Sequence, residues 1–175
     1  MRIALMMAAG ASLATLAACG NESAPAAAPA TEVAAALAAG EYEVSTKVEA
    51  LRSTDNSTPA TKLKLATADS APIVHRACVA ADGTIADAMF AEAGDSCKTE
   101  NSYARSGKIN LQLSCQRAGS TGQVLQSVDG KFKADSFDAT VNTGTYFSGP
   151  GDYAMRRTMT GKRVGDCPAG GEKKA

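Results

Sequence analysis

From Gly40 onward the chain alternates. Tyr42, Val44, Thr46, Val48 and Ala50 are apolar or β-branched, and Glu41, Glu43, Ser45, Lys47 and Glu49 between them are polar. A period of two sends successive side chains to opposite faces of an extended backbone, so the segment reads as a half-buried strand. A turn cluster from Arg52 to Pro59 ends it, Lys62-Leu63-Lys64-Leu65 resumes alternation in a second strand, and Ile73 and Val74 belong to a short third strand leading to Cys78. After Cys97 a polar strand runs to Ala104, and then Ile109, Leu111, Leu113 and Cys115 alternate strictly. Val124 to Phe132, Phe137 to Thr143 and Tyr153 to Val164 are strand-like and are separated by Lys133-Ala134-Asp135-Ser136 and Gly149-Pro150-Gly151. Gaps this short favour antiparallel neighbours.

One window has a helical period. In Thr84 to Ala93, Thr84 and Asp87 form a capping-box pattern, Ile85, Ala88 and Met89 share a face, and Gly94 can end the helix. The predicted architecture is mainly β (α+β): a twisted antiparallel meander or half-barrel of about six or seven strands with one short helix and two disulfides.

The hairpin after Cys97 fixes a register. A three-residue loop, Arg105-Ser106-Gly107, places Gly107 where a left-handed backbone is needed, and glycine adopts that conformation at least cost. Ala104 then opposes Lys108, opposed residue numbers sum to 212, and Cys97 faces Cys115 as a non-hydrogen-bonded pair, close enough for a disulfide. A two-residue loop would shift the register by one and put the sulfurs on opposite faces. Cys78 is left to pair with Cys167. The competing pattern is sequential, Cys78 with Cys97 and Cys115 with Cys167.

The remaining cysteine ends a different kind of segment. Met1 to Ala18 carries one charge, Arg2, and an otherwise apolar run, which has the length and polarity of a signal peptide. Leu16-Ala17-Ala18-Cys19 looks like a bacterial lipobox, with Cys19 as the lipid attachment residue, and an ordinary secretory signal is the alternative. Five cysteines in an exported chain leave one unmatched, and lipidation of Cys19 accounts for it. Gly20 after the cysteine is not an aspartate of the inner-membrane retention type, so the expected location is the outer membrane, lipid-anchored and facing the periplasm. The expected organisation is a signal peptide at 1–18, a lipidated N-terminus and Ala/Pro-rich tether at 19–39, a disulfide-stapled β domain at 40–167 and a tail at 168–175.

Composition narrows the chemistry. Eighteen basic residues balance eighteen acidic ones, which argues against nucleic acid as a partner. There is no tryptophan and only eight residues are aromatic, so the core must come from aliphatics, Met and a few rings. His75 is the only histidine, without a second ligand at metal spacing, and reads as a surface or satisfied residue. No nucleophile elbow, phosphate loop or zinc-protease motif occurs, and no cofactor is expected. Arg156-Arg157 and Lys162-Arg163 split between two strand faces and read as solvated charges.

Gly40-Glu41-Tyr42-Glu43-Val44, Cys78 before the helical window, Cys97, Cys115 and the closing Gly161-Lys162-Arg163-Val164-Gly165-Asp166-Cys167 together resemble the bacterial envelope family catalogued as domain of unknown function 3617. Tyr42 stands where tryptophan is common in that family. The resemblance implies a secreted or lipid-anchored β-rich domain with four cysteines, and it implies no reaction. The expected function is a non-catalytic binding or interaction module whose partner is an envelope protein or a small apolar ligand. The alternatives are a structural envelope-integrity protein, or an enzyme or enzyme accessory using carboxylates such as Asp135, Asp138 or Asp152. Two carboxylates converging in a cleft about 5–9 Å apart would favour that last reading.

Overall fold

In the computed structural model, which describes residues 34–57 and 70–168, seven strands form one antiparallel sheet curled into a half-barrel. They are β1 (Gly40–Ser53), β2 (Ile73–Val79), β3 (Asp95–Arg105), β4 (Lys108–Arg117), β5 (Gly122–Lys133), β6 (Ser136–Phe147) and β7 (Tyr153–Gly165). The spatial order is β2-β1-β7-β6-β5-β4-β3. Strands β3 to β7 are the expected meander, whereas the β1–β2 pair attaches beyond β7, so the first strand lies against the last. The strand expected at Lys62–Leu65, the leader with Cys19, and the chain from residue 169 lie outside the described residues.

Alternation decides which side is covered. Odd positions of β4, β6 and β7 and even positions of β1 and β5 point into the curl, where Val44, Leu111, Val128, Val141 and Met159 are buried. The chain packs just ahead of β1 as well: Leu37 is buried, and the Tyr42 hydroxyl donates to the Ala38 carbonyl at 2.8 Å. Phe137 meets Phe90 edge-on at 5.5 Å between centroids and lies 6.3 Å from Tyr42. Gly161 makes room for this cluster, since a Cβ there would sit 2.0 Å from the Phe137 ring. Register shifts in the β1–β7 pairing, at Glu41/Tyr42 and at Val48/Ala50, mark bulges that add twist and help the sheet to curl.

The two open edges are β2 and β3, and the segment between them spans the gap. Ile85 bridges to Val79, the Ala86 N–H donates to the Cys78 carbonyl at 3.1 Å, and Thr99 Oγ1 on β3 donates to Asp87 Oδ1 at 2.5 Å. The helix expected over Thr84 to Ala93 is reduced to a single 3-10 turn, Asp87–Met89, whose N-cap has no side-chain hydrogen bond. Two competing demands explain this. Ile85 pairs with Val79 and Ala86 is extended, so the first turn of the expected helix is taken up by the sheet edge, ahead of the fully buried Met89 and Phe90. Their carbonyls are also engaged by side chains, Met89 O with His75 Nε2 at 3.2 Å and Phe90 O with Arg157 Nη2 at 2.9 Å.

The β3–β4 hairpin corrects the expected loop. Arg105 opposes Lys108 across a two-residue turn, Ser106-Gly107, with both residues at positive φ, 52° and 71°. The register at the tip is therefore the one that would have separated the cysteines. A bulge between Thr99 and Asn101, with Glu100 as the extra residue, shifts it back, and Cys97 opposes Cys115 and is bonded to it. The pairing was predicted correctly and the loop incorrectly; the bulge cancels the error. Cys78 is bonded to Cys167. Because Glu41 of β1 opposes both Cys78 and Gly165, this second bridge straddles β1 and ties the edge strand to the chain following β7.

Candidate functional site

At the end of the half-barrel where β4 finishes and β7 begins, the inward face turns from apolar to charged. Arg117 follows Ile109, Leu111, Leu113 and Cys115 on the same face of β4, and its cross-strand neighbour is Asp95, the first residue of β3. The two form a bidentate pair, Nε to Oδ1 at 2.6 Å and Nη2 to Oδ2 at 2.8 Å. Arg117 Nη2 also reaches Glu92 Oε2 at 2.9 Å, and Nη1 donates to the Tyr153 hydroxyl at 2.7 Å. Tyr153 in turn donates to Glu92 Oε2 at 2.7 Å. The guanidinium carbon lies over the rings of Tyr153 and Phe147 at 5.6 and 5.8 Å. Asp95 is 1% exposed, Glu92 5% and Arg117 9%.

Such a cluster survives burial only because each charge is met by another. Burial works against the Arg117 cation, but its bonds to Asp95 and the nearby Glu92 carboxylate outweigh that and hold it charged. Burial likewise raises the Asp95 pKa while Arg117 pulls it down. With both carboxylate oxygens occupied by the guanidinium, we take Asp95 as ionised. Burial and then the Glu92 charge push the Tyr153 hydroxyl well above the ordinary phenol range, so it remains a donor. Arg157, two positions further into the curl than Met155, is 4% exposed, and burial lowers its pKa against the opposing pull of Glu92, Tyr153 and Asp95.

Above Arg117 the β4–β5 and β6–β7 connections form a groove of about 530 Å³, lined by residues 117–121 and 147–151. Of the charged network, only Arg117 lines it. Two aspartates shape its far wall. Asp55 Oδ2 accepts the N–H groups of Gly151 and Asp152 at 2.6 and 3.0 Å, while its Oδ1 accepts from Ser53 and Ser57. Asp152 Oδ1 accepts from Thr145 Oγ1 and the Phe147 N–H at 3.0 and 2.8 Å. The Ser57 hydroxyl, followed by the Gly151 and Ser57 N–H groups, holds the Asp55 carboxyl far below the usual carboxylate range.

The residues weighed from the sequence fall elsewhere or change role. Asp135 and Asp138 sit at the β5–β6 hairpin and Asp152 at the opposite end of β6, so these three do not come together. Two other carboxylates do converge, Glu92 and Asp95, but both are committed to Arg117 and neither lines the groove. His75 is half-buried with Nε2 against the Met89 carbonyl, and burial lowers its pKa. Among the described residues no three His, Cys, Asp or Glu side chains gather as a metal site would require. Arg156 is exposed beside Asn142 and Arg163 donates to the Ala39 carbonyl, but Arg157, expected to be solvated, is buried with Nη2 on the Phe90 carbonyl. Its neighbours Tyr153, Met155 and Met159 on the same face already carried that information. So did the run from Ile109 to Cys115 for Arg117, and the facing cysteine pair for Asp95.

Residues 37–167 match the family described as "Protein of unknown function (DUF3617)". No curated protein and no solved structure matches this chain.

Proposed function

We propose that this chain, which belongs to the DUF3617 family, is a non-catalytic, lipid-anchored binding module of the outer membrane that faces the periplasm and takes its partner in the groove above Arg117. The observation that carries the reading is the pairing of a groove of about 530 Å³ with a floor fixed by four interlocked side chains. A rigid cation beneath small, hydroxyl-rich and glycine-rich walls costs little ordering on binding, which suits recognition. The carboxylates that could serve acid–base chemistry are bonded to Arg117 and withdrawn from the groove, which favours binding over catalysis.

The anchor is tested by metabolic labelling with a fatty-acid analogue. Wild-type protein is labelled and sediments with membranes, and Cys19→Ala is unlabelled and soluble; an unlabelled wild type overturns the anchor. The groove is tested with Gly149→Trp, because Gly149 lines it and a Cβ there meets nothing within 4 Å. A photo-crosslinking residue at Ser148 yields an adduct of discrete mass in intact cells, and Gly149→Trp abolishes it while thermal stability is kept. Absence of any discrete adduct overturns the groove as a binding surface.

A further inference from the structure

Deeper in the curl lies a second set of polar groups, of which only Glu92, through its other oxygen, also belongs to the network beneath the groove. Among the described residues, six buried side-chain atoms have no hydrogen-bond partner in the protein: Thr46 Oγ1, Glu92 Oε1, Gln126 Oε1 and Nε2, Thr143 Oγ1 and Arg157 Nε. Their side chains belong to residues only 3–6% exposed. A buried donor or acceptor left unmade costs about as much as a lost hydrogen bond, and native proteins leave few of them.

These atoms are not scattered. Gln126 on β5 directly opposes Thr143 on β6. Thr143 opposes Met155 on β7, and Arg157 is the next inward residue of that strand. Arg157 opposes Val48 on β1, and Thr46 is the next inward residue there. Glu92 lies across the curl, near enough to act on the Arg157 charge, and Arg157 is bonded to the carbonyl of Phe90, two residues before Glu92. The polar groups thus form one stripe across four adjacent strands, bordered by the apolar Leu113, Val128 and Val141.

We propose that this stripe is a buried binding site for small neutral molecules presenting hydroxyl groups, held by Gln126, Thr143, Arg157 and Glu92. Neutrality follows from the charge balance: Arg117 and Arg157 are already matched by Glu92 and Asp95, so a charged occupant would be left uncompensated. Hydroxyl chemistry follows from the mixture of unpaired donors (Arg157 Nε, Gln126 Nε2) and unpaired acceptors (Glu92 Oε1, Gln126 Oε1) along one line, since a hydroxyl serves both. Water and a small polyol share this chemistry. None of these four residues lines the groove, and Glu92 alone connects the two sites, through the Oε2 that accepts from Arg117.

Two measurements on the full-length protein, purified without denaturation, separate the sources. Native mass spectrometry showing an adduct of fixed mass that is released on unfolding identifies a polyol. No adduct, but long-lived internal water in magnetic relaxation dispersion, identifies water; either supports the site. The variant Gln126→Leu/Thr143→Val loses the occupant signal and unfolds at lower urea, and Thr143→Val alone shows the same direction if the double variant does not fold. The proposal is overturned by a dry interior, with neither adduct nor long-lived water, and by variants that unfold at higher urea than wild type, as expected when unpaired polar groups are simply removed.

Discussion

Replacing Asp95 by Asn keeps the shape of the side chain and removes its charge. In the native cluster both Asp95 oxygens accept from Arg117, at 2.6 and 2.8 Å, at a position 1% exposed. Asparagine can accept through one oxygen only, and its amide nitrogen then faces the guanidinium, donor against donor. Glu92 is left as the only anion bonded to Arg117, with Arg157 close by. Breaking a buried ion pair by removing one partner costs about 3–5 kcal/mol, because the surviving charge is stranded. For a folded part of this size that corresponds to a fall in Tm of roughly 12–20 °C. The assay is thermal and urea unfolding with the disulfides intact, followed by circular dichroism. The paired variant Asp95→Leu/Arg117→Met provides the control, since removing both charges spares the stranded cation and should cost less than the sum of the single replacements. A loss below about 1 kcal/mol for Asp95→Asn, the range of an exposed pair, would refute the claim that this pair is dry and charged.

Three further outcomes follow from the packing. Gly161→Ala drives a Cβ into the Phe137 ring and should cost about 1–3 kcal/mol in urea unfolding, whereas Gly149→Ala, with open space around it, should be neutral. Deleting Glu100 removes the one unpaired residue and lets Thr99 and Asn101 face Leu113 and Gln112 consecutively, so a non-reduced peptide map should keep both the Cys97–Cys115 and the Cys78–Cys167 peptides; loss of the first would refute Glu100 as the extra residue. His75 has a folded pKa lowered by burial, so the unfolded chain binds a proton that the folded chain resists. Its contribution is present above an unfolded pKa of about 6.5 and declines as pH falls below it, by at most about 1.4 kcal/mol per pH unit, and His75→Gln should flatten the pH dependence of the urea midpoint between pH 7 and 5.5.

Period-two alternation made most of the sheet legible, because a half-buried strand writes its own face assignment: β1, β4, β5, β6 and β7 begin and end within a few residues of where the pattern placed them. The same rule, carried two residues past Cys115 and applied within the last strand, places Arg117 and Arg157 indoors. For Arg157, expected to be solvated, position is a better guide than residue type. The helical window misled for the opposite reason. Its local pattern was sound, but the segment has to cross from one sheet edge to the other, and the pairing of Ile85 with Val79 at the β2 edge outweighed propensity. Glu92 had no local signal at all, since it lies in no strand and its partners are 25 and 61 residues away. The bulge at Glu100 is equally silent, one extra residue in a polar strand whose outward face tolerates almost any sequence.

The contact between β1 and β7 gives the molecule a direction. The chain enters the sheet at Gly40, and Glu41 beside it opposes Gly165, where the last strand ends; a Cβ on Gly40 would touch the Gly165 carbonyl at 2.4 Å. Entry and exit are therefore at one pole. The groove is at the other, against the start of β7 at Tyr153. Thirteen residues of strand, about 40 Å at 3.3 Å each, separate the two. Chain leaving the sheet at Gly40 or at Gly165 therefore starts at the pole away from the groove, and the groove stays open to a partner approaching from the other side.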